Sequence, residues 1–184
     1  MTIRKYCEKD RNAVVRICLE KESLDFTVSP FDDFIKTMFC DYYIDKEPEN
    51  CFVAVDDNDI PFGYIYGVKD YFKYKENFDP YLQRLKAINN GEYLSWCLVE
   101  MYDHEVFADE YPAHLHIDIL DGYRSGGVGT ELMNKFLSYM KESGIKGVML
   151  IVGGDNAGAR RFYERQGFSL LKEKNSGCAY GIKL

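Results

Sequence analysis

The chain has 184 residues, a formal net charge of −7, 15 Tyr, 12 Phe and six Cys. That length suits one domain with a sizeable core, and the aromatic load excludes a disordered chain. The acidic balance leaves no basic stripe to neutralise phosphates, so nucleic acid is not an expected partner.

The cysteines (Cys7, Cys18, Cys40, Cys51, Cys97, Cys178) show no C-x-x-C spacing. No stretch reads as a signal peptide or membrane span. The expectation is a cytoplasmic protein with reduced thiols and no membrane association. The negative charge suits a cationic amine substrate, although solubility alone accounts for it.

In chain order, Thr2–Tyr6 reads as a first strand. Asp10 is placed as the N-cap of a helix with Ala13, Val14, Ile17 and Cys18 on one face. A second helix from about Phe31 sets Phe31, Phe34, Ile35, Met38, Phe39 and Tyr42 on one stripe. Cys51–Val55 and Pro61–Gly67 read as a hairpin turning at Asp56-Asp57-Asn58-Asp59. In Tyr71-Phe72-Lys73-Tyr74-Lys75 aromatics alternate with lysines, which is read as a surface loop rather than a base-stacking site. Asp79–Ile88 reads as helix, and Leu94–Met101 is an apolar run that periodicity assigns to neither helix nor strand.

Pro112–Asp121 is an apolar strand. Its alternation puts Leu115, Ile117 and Ile119 on one face and His114, His116 and Asp118 on the other. The His-x-His-x-Asp row has three readings: part of a metal site, a structural hydrogen-bonded row, or an acid–base row beside a substrate. His104 is the only further histidine and the motif lacks a completing ligand, so no metal is expected.

A glycine loop follows, Tyr123-Arg124-Ser125-Gly126-Gly127-Val128-Gly129. It leads into an amphipathic helix carrying Val128, Leu132, Met133, Phe136, Leu137 and Met140 and ending near Gly144. Free backbone N–H groups and the positive end of a helix dipole at one spot suit a phosphate. The Rossmann fingerprint fails because Leu132 stands where its third glycine belongs, and Walker A fails because Gly129 is followed by Thr130-Glu131 without lysine. Gly147–Val152 is the next buried strand, and a helix spans about Asn156 to Gln166. Phe168–Lys172 and Cys178–Leu184 form a closing hairpin across Asn175-Ser176-Gly177.

Arg124-x-x-Gly127-x-Gly129 matches the Q/R-x-x-G-x-G/A signature, and Asn156-x-x-Ala159-x-x-Phe162-Tyr163-Glu164-x-x-Gly167-Phe168 resembles the second signature of the GNAT N-acetyltransferase superfamily. The two motifs cover roughly a third of the chain in the family's order. Ala113–Leu120 also resembles a branch that includes the acetyltransferase-like C-terminal domain of O-GlcNAcase, some of whose members do not catalyse.

The resemblance implies an α/β (α+β) domain over residues 1–184. Its mixed, mostly antiparallel sheet of six or seven strands would splay between the fourth and fifth core strands. Residues 68–111 are then an insertion between the third and fourth, covering the acceptor side, which the first two helices also border. The cosubstrate implied is acetyl-CoA, with its pyrophosphate on Arg124 and the N–H groups of Ser125, Gly126, Gly127, Val128, Gly129 and Thr130. Its pantetheine would lie in the splay beside Ile119, Leu120, Asn156, Ala159 and Phe162.

Tyr163 stands where the family places the general acid, and its alternative is packing beside Phe162. Asp118 and His116 are the candidate bases, followed by Glu100 and Asp103. A backbone N–H at Ile119 or Leu120 is the candidate oxyanion donor. The expected reaction is direct acetyl transfer in a ternary complex to a small-molecule, peptide or protein amine, with a homodimer possible. The alternatives are a non-catalytic acyl-CoA-binding domain and a metal-dependent hydrolase built on His114, His116 and Asp118.

Overall fold

The computed structural model describes residues 1–22, 29–88, 92–124, 126–173 and 177–184. It begins with strand β1 (Thr2–Lys5) and helix α1 (Arg11–Glu22), which buries Val14, Ile17 and Cys18. Asp10 is not the N-cap expected of it. It closes a single 3-10 turn, Glu8–Asp10, that runs directly into α1. The reason is an ion pair that local spacing does not reveal: Asp10 is 1% exposed and accepts from Nη1 and Nη2 of Arg4 at 2.7 and 2.9 Å. It also accepts from the Cys7 N–H at 2.9 Å.

The second helical region divides into α2 (Ser29–Lys36), a π turn (Thr37–Asp41) and α3 (Tyr42–Lys46). Its six expected stripe residues are all buried. The π turn adds a residue to the helical repeat, a feature frequent at functional sites, and Tyr43 follows it. Strands β2 (Phe52–Val55) and β3 (Pro61–Val68) form the expected hairpin. Asp56 Oδ1 accepts from the Asn58 and Ile60 N–H groups, both at 2.9 Å, and so shapes the turn.

Between β3 and the next strand lie α4 (Tyr71–Asn77), α5 (Asp79–Ile88) and α6 (Glu92–Phe107). Tyr71–Lys75 is thus helix and not a surface loop. Asp70 caps it by accepting from the Phe72 and Lys73 N–H groups at 3.0 and 3.2 Å. Tyr71 and Tyr74 are buried, while Phe72 and the lysines face out. The ambiguous run 94–101 lies within α6.

The rest comprises β4 (Ala113–Ile119), α7 (Val128–Glu142), β5 (Gly147–Val152), α8 (Ala157–Arg165), β6 (Ser169–Glu173) and β7 (Cys178–Lys183). The β6–β7 turn expected at residues 175–177 falls largely outside the described residues. Among the described residues the sheet has seven strands in the order β1-β2-β3-β4-β5-β7-β6, antiparallel except for β4–β5. Period-two alternation gives it two cores. Phe52, Ile65, Leu115, Leu150 and Tyr180 pack under Leu132, Met133, Phe136 and Met140 of α7. Val53, Tyr64, Tyr66 and Val68 pack against α1 to α5. No helix among the described residues is long and apolar enough to cross a membrane.

Candidate functional site

β4 is paired with β3 from Gly63↔Ile119 to Val68↔His114. With β5 it pairs only at Ala113↔Val148 and His114↔Met149, although β5 stays paired with β7 as far as Val152↔Cys178. The two parallel strands therefore part after His114 and leave a gap in the middle of the sheet. The Leu120 N–H donates to Phe62 O at 2.9 Å. Antiparallel alternation then turns the N–H groups of Ile117 and Ile119 away from β3 and toward the gap. Of the two expected backbone donors, Leu120 is committed to Phe62, which leaves Ile119.

The glycine loop lies directly after this strand. Gly126 and Gly127 have φ of 91° and 82°, and Gly127 is the N-cap of α7. Nothing lies within 4 Å of where a Gly127 side chain would begin. The loop is open on that side, toward a helix N-terminus whose first N–H groups lack helical partners. At Gly129 the space is filled instead. A side chain there would meet the Phe162 ring at 3.3 Å and Ile119 Cδ1 at 3.5 Å. The lack of a side chain at Gly129 is what lets the end of β4, the start of α7 and the middle of α8 touch.

Arg124 is exposed, its Nε donating to Ile119 O at 3.2 Å and pairing with Asp121 at 3.1 Å. Asp121 also pairs with Lys21 of α1 at 2.7 Å. That lysine and Arg124 hold the Asp121 carboxyl below its usual range. Val128 is buried and anchors the first turn of α7, while Ser125 lies outside the described residues. Thr130 Oγ1 accepts from Gln166 Nε2 at 3.1 Å, tying α7 to the end of α8.

On α8, Asn156 Oδ1 caps the helix by accepting from the Ala159 N–H at 3.0 Å. Ala159 and Phe162 are partly buried against the α7 core. Tyr163 is 8% exposed, with ring centroids 5.3 Å from Phe162, 5.9 Å from Phe168 and 6.4 Å from Tyr180. Arg160 fixes the β5–α8 connection by donating to Gly154 O at 3.2 Å.

The polar row of β4 faces the opposite core. Tyr64 stands across the β3–β4 pair from Asp118 and donates to its Oδ2 at 2.5 Å. The Tyr43 hydroxyl is 3.0 Å from Nε2 of His114 and 3.0 Å from Nε2 of His116. Tyr64 stacks on Tyr66 at 4.3 Å, and Tyr66 on Tyr43 at 4.8 Å, so the partners of the row form one aromatic pile.

His104 of α6 joins them, its ring 4.5 Å from that of His114. Burial pushes the His116 imidazole down to about 3 and that of His104 to about 4. Burial, then the nearby His104 and His116, take His114 well below the ordinary range. All three rings are therefore neutral at pH 7. Among the described residues no group of three His, Cys, Asp or Glu side chains is arranged to hold a metal ion. His114 and His116 converge on Tyr43, whereas Asp118 turns to Tyr64.

Sequence reasoning missed Tyr43, Tyr64 and Gln166 as partners of the site. Tyr64 had a signal, since alternation along β3 puts Tyr64 and Tyr66 on one face. Tyr43 had none, because its histidines lie 71 and 73 residues away.

A strand pair parting above a glycine-rich helix N-terminus defines an acyl-CoA transferase fold, and the comparisons with known proteins agree. The family model described as Acetyltransferase (GNAT) family matches residues 15–168. The chain belongs to the GNAT acetyltransferase family. It is 31% identical over 111 residues to an uncharacterized N-acetyltransferase of Archaeoglobus fulgidus, covering 60% of this chain and 75% of that protein. A second, from Methanocaldococcus jannaschii, is 40% identical over 65 residues, 35% of this chain but only 24% of that protein. The crystal structure of SsHAT superposes with a TM-score of 0.87 at 26% identity, covering 99% of this chain and 97% of that one. The likeness of residues 113–120 to the O-GlcNAcase branch gains no support from these relatives.

Proposed function

We propose that this protein transfers the acetyl group of acetyl-CoA to a primary amine by direct attack within a ternary complex. The observation that carries this reading is the parting of β4 and β5 after His114, directly beside the open loop at Gly126–Gly127. In this reading the pyrophosphate lies on the loop N–H groups with Arg124 as counter-charge. The pantetheine arm runs into the gap as a surrogate strand beside Ile117 and Ile119.

An amine such as lysine, with a pKa near 10.4, is free base in only about one molecule in a few thousand at pH 7, a cost of roughly 4–5 kcal/mol. Asp118 attracts the ammonium and removes its proton, directly or through a water. His116 accepts a hydrogen bond from the neutral amine. A ring with so low a proton affinity stays unprotonated at working pH, which suits an orienting acceptor better than a base.

The amine nitrogen then bonds to the thioester carbon, and the Ile119 N–H meets the oxyanion. Collapse breaks the C–S bond as Tyr163 gives its proton to the departing thiolate, and the second proton, which the nitrogen sheds on becoming an amide, passes through water to restore the Tyr163 hydroxyl. The helices of residues 68–111 wall the acceptor side and set its specificity, because α4 and α6 bring Tyr74 and His104 against His114.

The test is release of CoA thiol from acetyl-CoA over a panel of small amines, peptide N-termini and lysine peptides. Turnover above hydrolysis with at least one class is the expected result. Tight acetyl-CoA binding with no turnover on any acceptor would instead identify a binding module.

A further inference from the structure

Lys21 and Arg124 bear on a single oxygen. Lys21 Nζ lies 2.7 Å from Asp121 Oδ1, and Arg124 Nε lies 3.1 Å from the same atom. The two cations therefore stand no further apart than those distances laid end to end. Arg124 Nε also donates to Ile119 O at 3.2 Å, which holds the group at the end of β4, where β4 and β5 have parted.

The cations come from opposite faces of the sheet. Lys21 is in the last turn of α1, whose Val14, Ile17 and Cys18 belong to the core that includes Tyr64 and Tyr66. α7, which begins at the glycine loop, covers the other core. Leu120, next to Asp121, packs against both. Lys21 thus reaches the glycine loop around the end of β4.

Exposure separates the three side chains. Asp121 is 77% exposed and Arg124 59%, but Lys21 is only 10% exposed. A lysine that merely finished a helix would extend into water, where its charge already suits the C-terminal dipole. Here the stem is packed, so the ammonium is delivered at one place with its rotamer freedom already lost. Exposed ion pairs contribute little to stability, and Asp121 can give up both partners at little cost. Its carboxylate sets a single negative charge between two cations, whereas a diphosphate diester brings one on each phosphate. The diphosphate is the better match for the pair. In a chain of net charge −7, cations for a polyanion have to be gathered locally.

We propose that Lys21 is a further coenzyme-binding residue, a second cation for the diphosphate, and that Asp121 is the anion it leaves when the coenzyme enters. Arg124 and the loop N–H groups then hold the diphosphate from one face of the sheet, and Lys21 holds it from the other. This proposal rests on the reading of the glycine loop as the diphosphate site.

The test is calorimetric titration with coenzyme A and with dephospho-coenzyme A, which keeps the diphosphate and lacks the 3′-phosphate. Lys21→Met keeps most of the packed stem and removes the charge. It should weaken both ligands about tenfold, the scale of one charge-assisted hydrogen bond, and flatten the dependence of affinity on salt. Asp121→Asn should act with the opposite sign. By removing the competing anion it should tighten both ligands about two- to threefold, within the range of an exposed ion pair. A pair that only tied α1 to the loop would respond alike to the loss of either partner.

If the native protein binds neither ligand, the diphosphate reading of the loop falls and the proposal with it. If the native protein binds both but Lys21→Met binds them equally well, or Asp121→Asn fails to tighten binding, the role of Lys21 falls alone. A loss in Lys21→Met confined to coenzyme A would place Lys21 on the 3′-phosphate and overturn the diphosphate assignment. Asp121→Asn alters only an exposed side chain, so its result stands even if Lys21→Met does not fold.

Discussion

The Tyr64 hydroxyl donates to Oδ2 of Asp118 at 2.5 Å across directly paired positions of β3 and β4. That bond occupies one oxygen of the carboxylate that the proposed mechanism uses, and it fixes where the other can point. Tyr64→Phe should therefore raise the amine KM and lower kcat while leaving acetyl-CoA affinity unchanged. A hydrogen bond to a charged group contributes about 1.5–3 kcal/mol, so a loss of that order in urea-derived stability should accompany the kinetic change. Unchanged amine kinetics would separate Asp118 from the acceptor.

Gly127 tests the loop without disturbing the core. Its φ of 82° favours glycine and, next, Asn or Asp, and its side-chain direction is open. Gly127→Asp should keep the melting temperature within a few degrees, because Asp tolerates this conformation and can cap α7. The same carboxylate stands where a diphosphate is expected. Calorimetric CoA affinity should fall at least about tenfold, the effect of roughly 1.4 kcal/mol.

Gly129 makes the complementary prediction. A methyl group there would press on the Phe162 ring at 3.3 Å. Gly129→Ala should shift α8 and lower stability by about 1–3 kcal/mol, as overpacking does. Because Ile119 and Phe162 meet at this point, CoA binding should weaken as well, read by the same titration.

Acid stability should reveal the buried histidines. His104 and His116 have folded values pushed down to about 4 and about 3, against an ordinary 6.5 when unfolded. The unfolded chain thus binds protons that the folded chain refuses. The contribution is fully favourable above pH 6.5 and is lost as pH falls toward 4, at up to about 1.4 kcal/mol per pH unit for each ring. Asp41 and Glu47, whose carboxyls burial pushes up, act with the opposite sign, so the informative comparison is with His104→Gln. Urea midpoints from pH 7.5 to 5 should fall more steeply for the native protein than for that variant.

Much of the local structure from β4 to α8 was legible because it is written locally. Gly126, Gly127 and Gly129 mark the loop, Asn156 marks a cap, and alternation along residues 113–119 sorts the two faces of β4. What stayed hidden is non-local or masked by composition. Asp10 read as a cap because its partner Arg4 sits on a strand, and the match between them is tertiary. Tyr71–Lys75 read as a loop because aromatics beside lysines suggested a surface, although Asp70 offered an N-cap signal. The run 94–101 gave no period because α6 carries apolar residues on its outer face too, Leu98, Val99 and Tyr102 among those exposed. Tyr43 and Tyr64 become site residues only once the β3–β4 register and the π turn place them.

A crystal structure of the protein with coenzyme A tests the central claim most directly. The account predicts the diphosphate against the backbone N–H groups of residues 126–129 with Arg124 turned from Asp121 toward it, and the pantetheine amides bonded between β4 and β5 at Ile117 or Ile119. A coenzyme seated elsewhere, or β4 and β5 paired through to Val152, would contradict it.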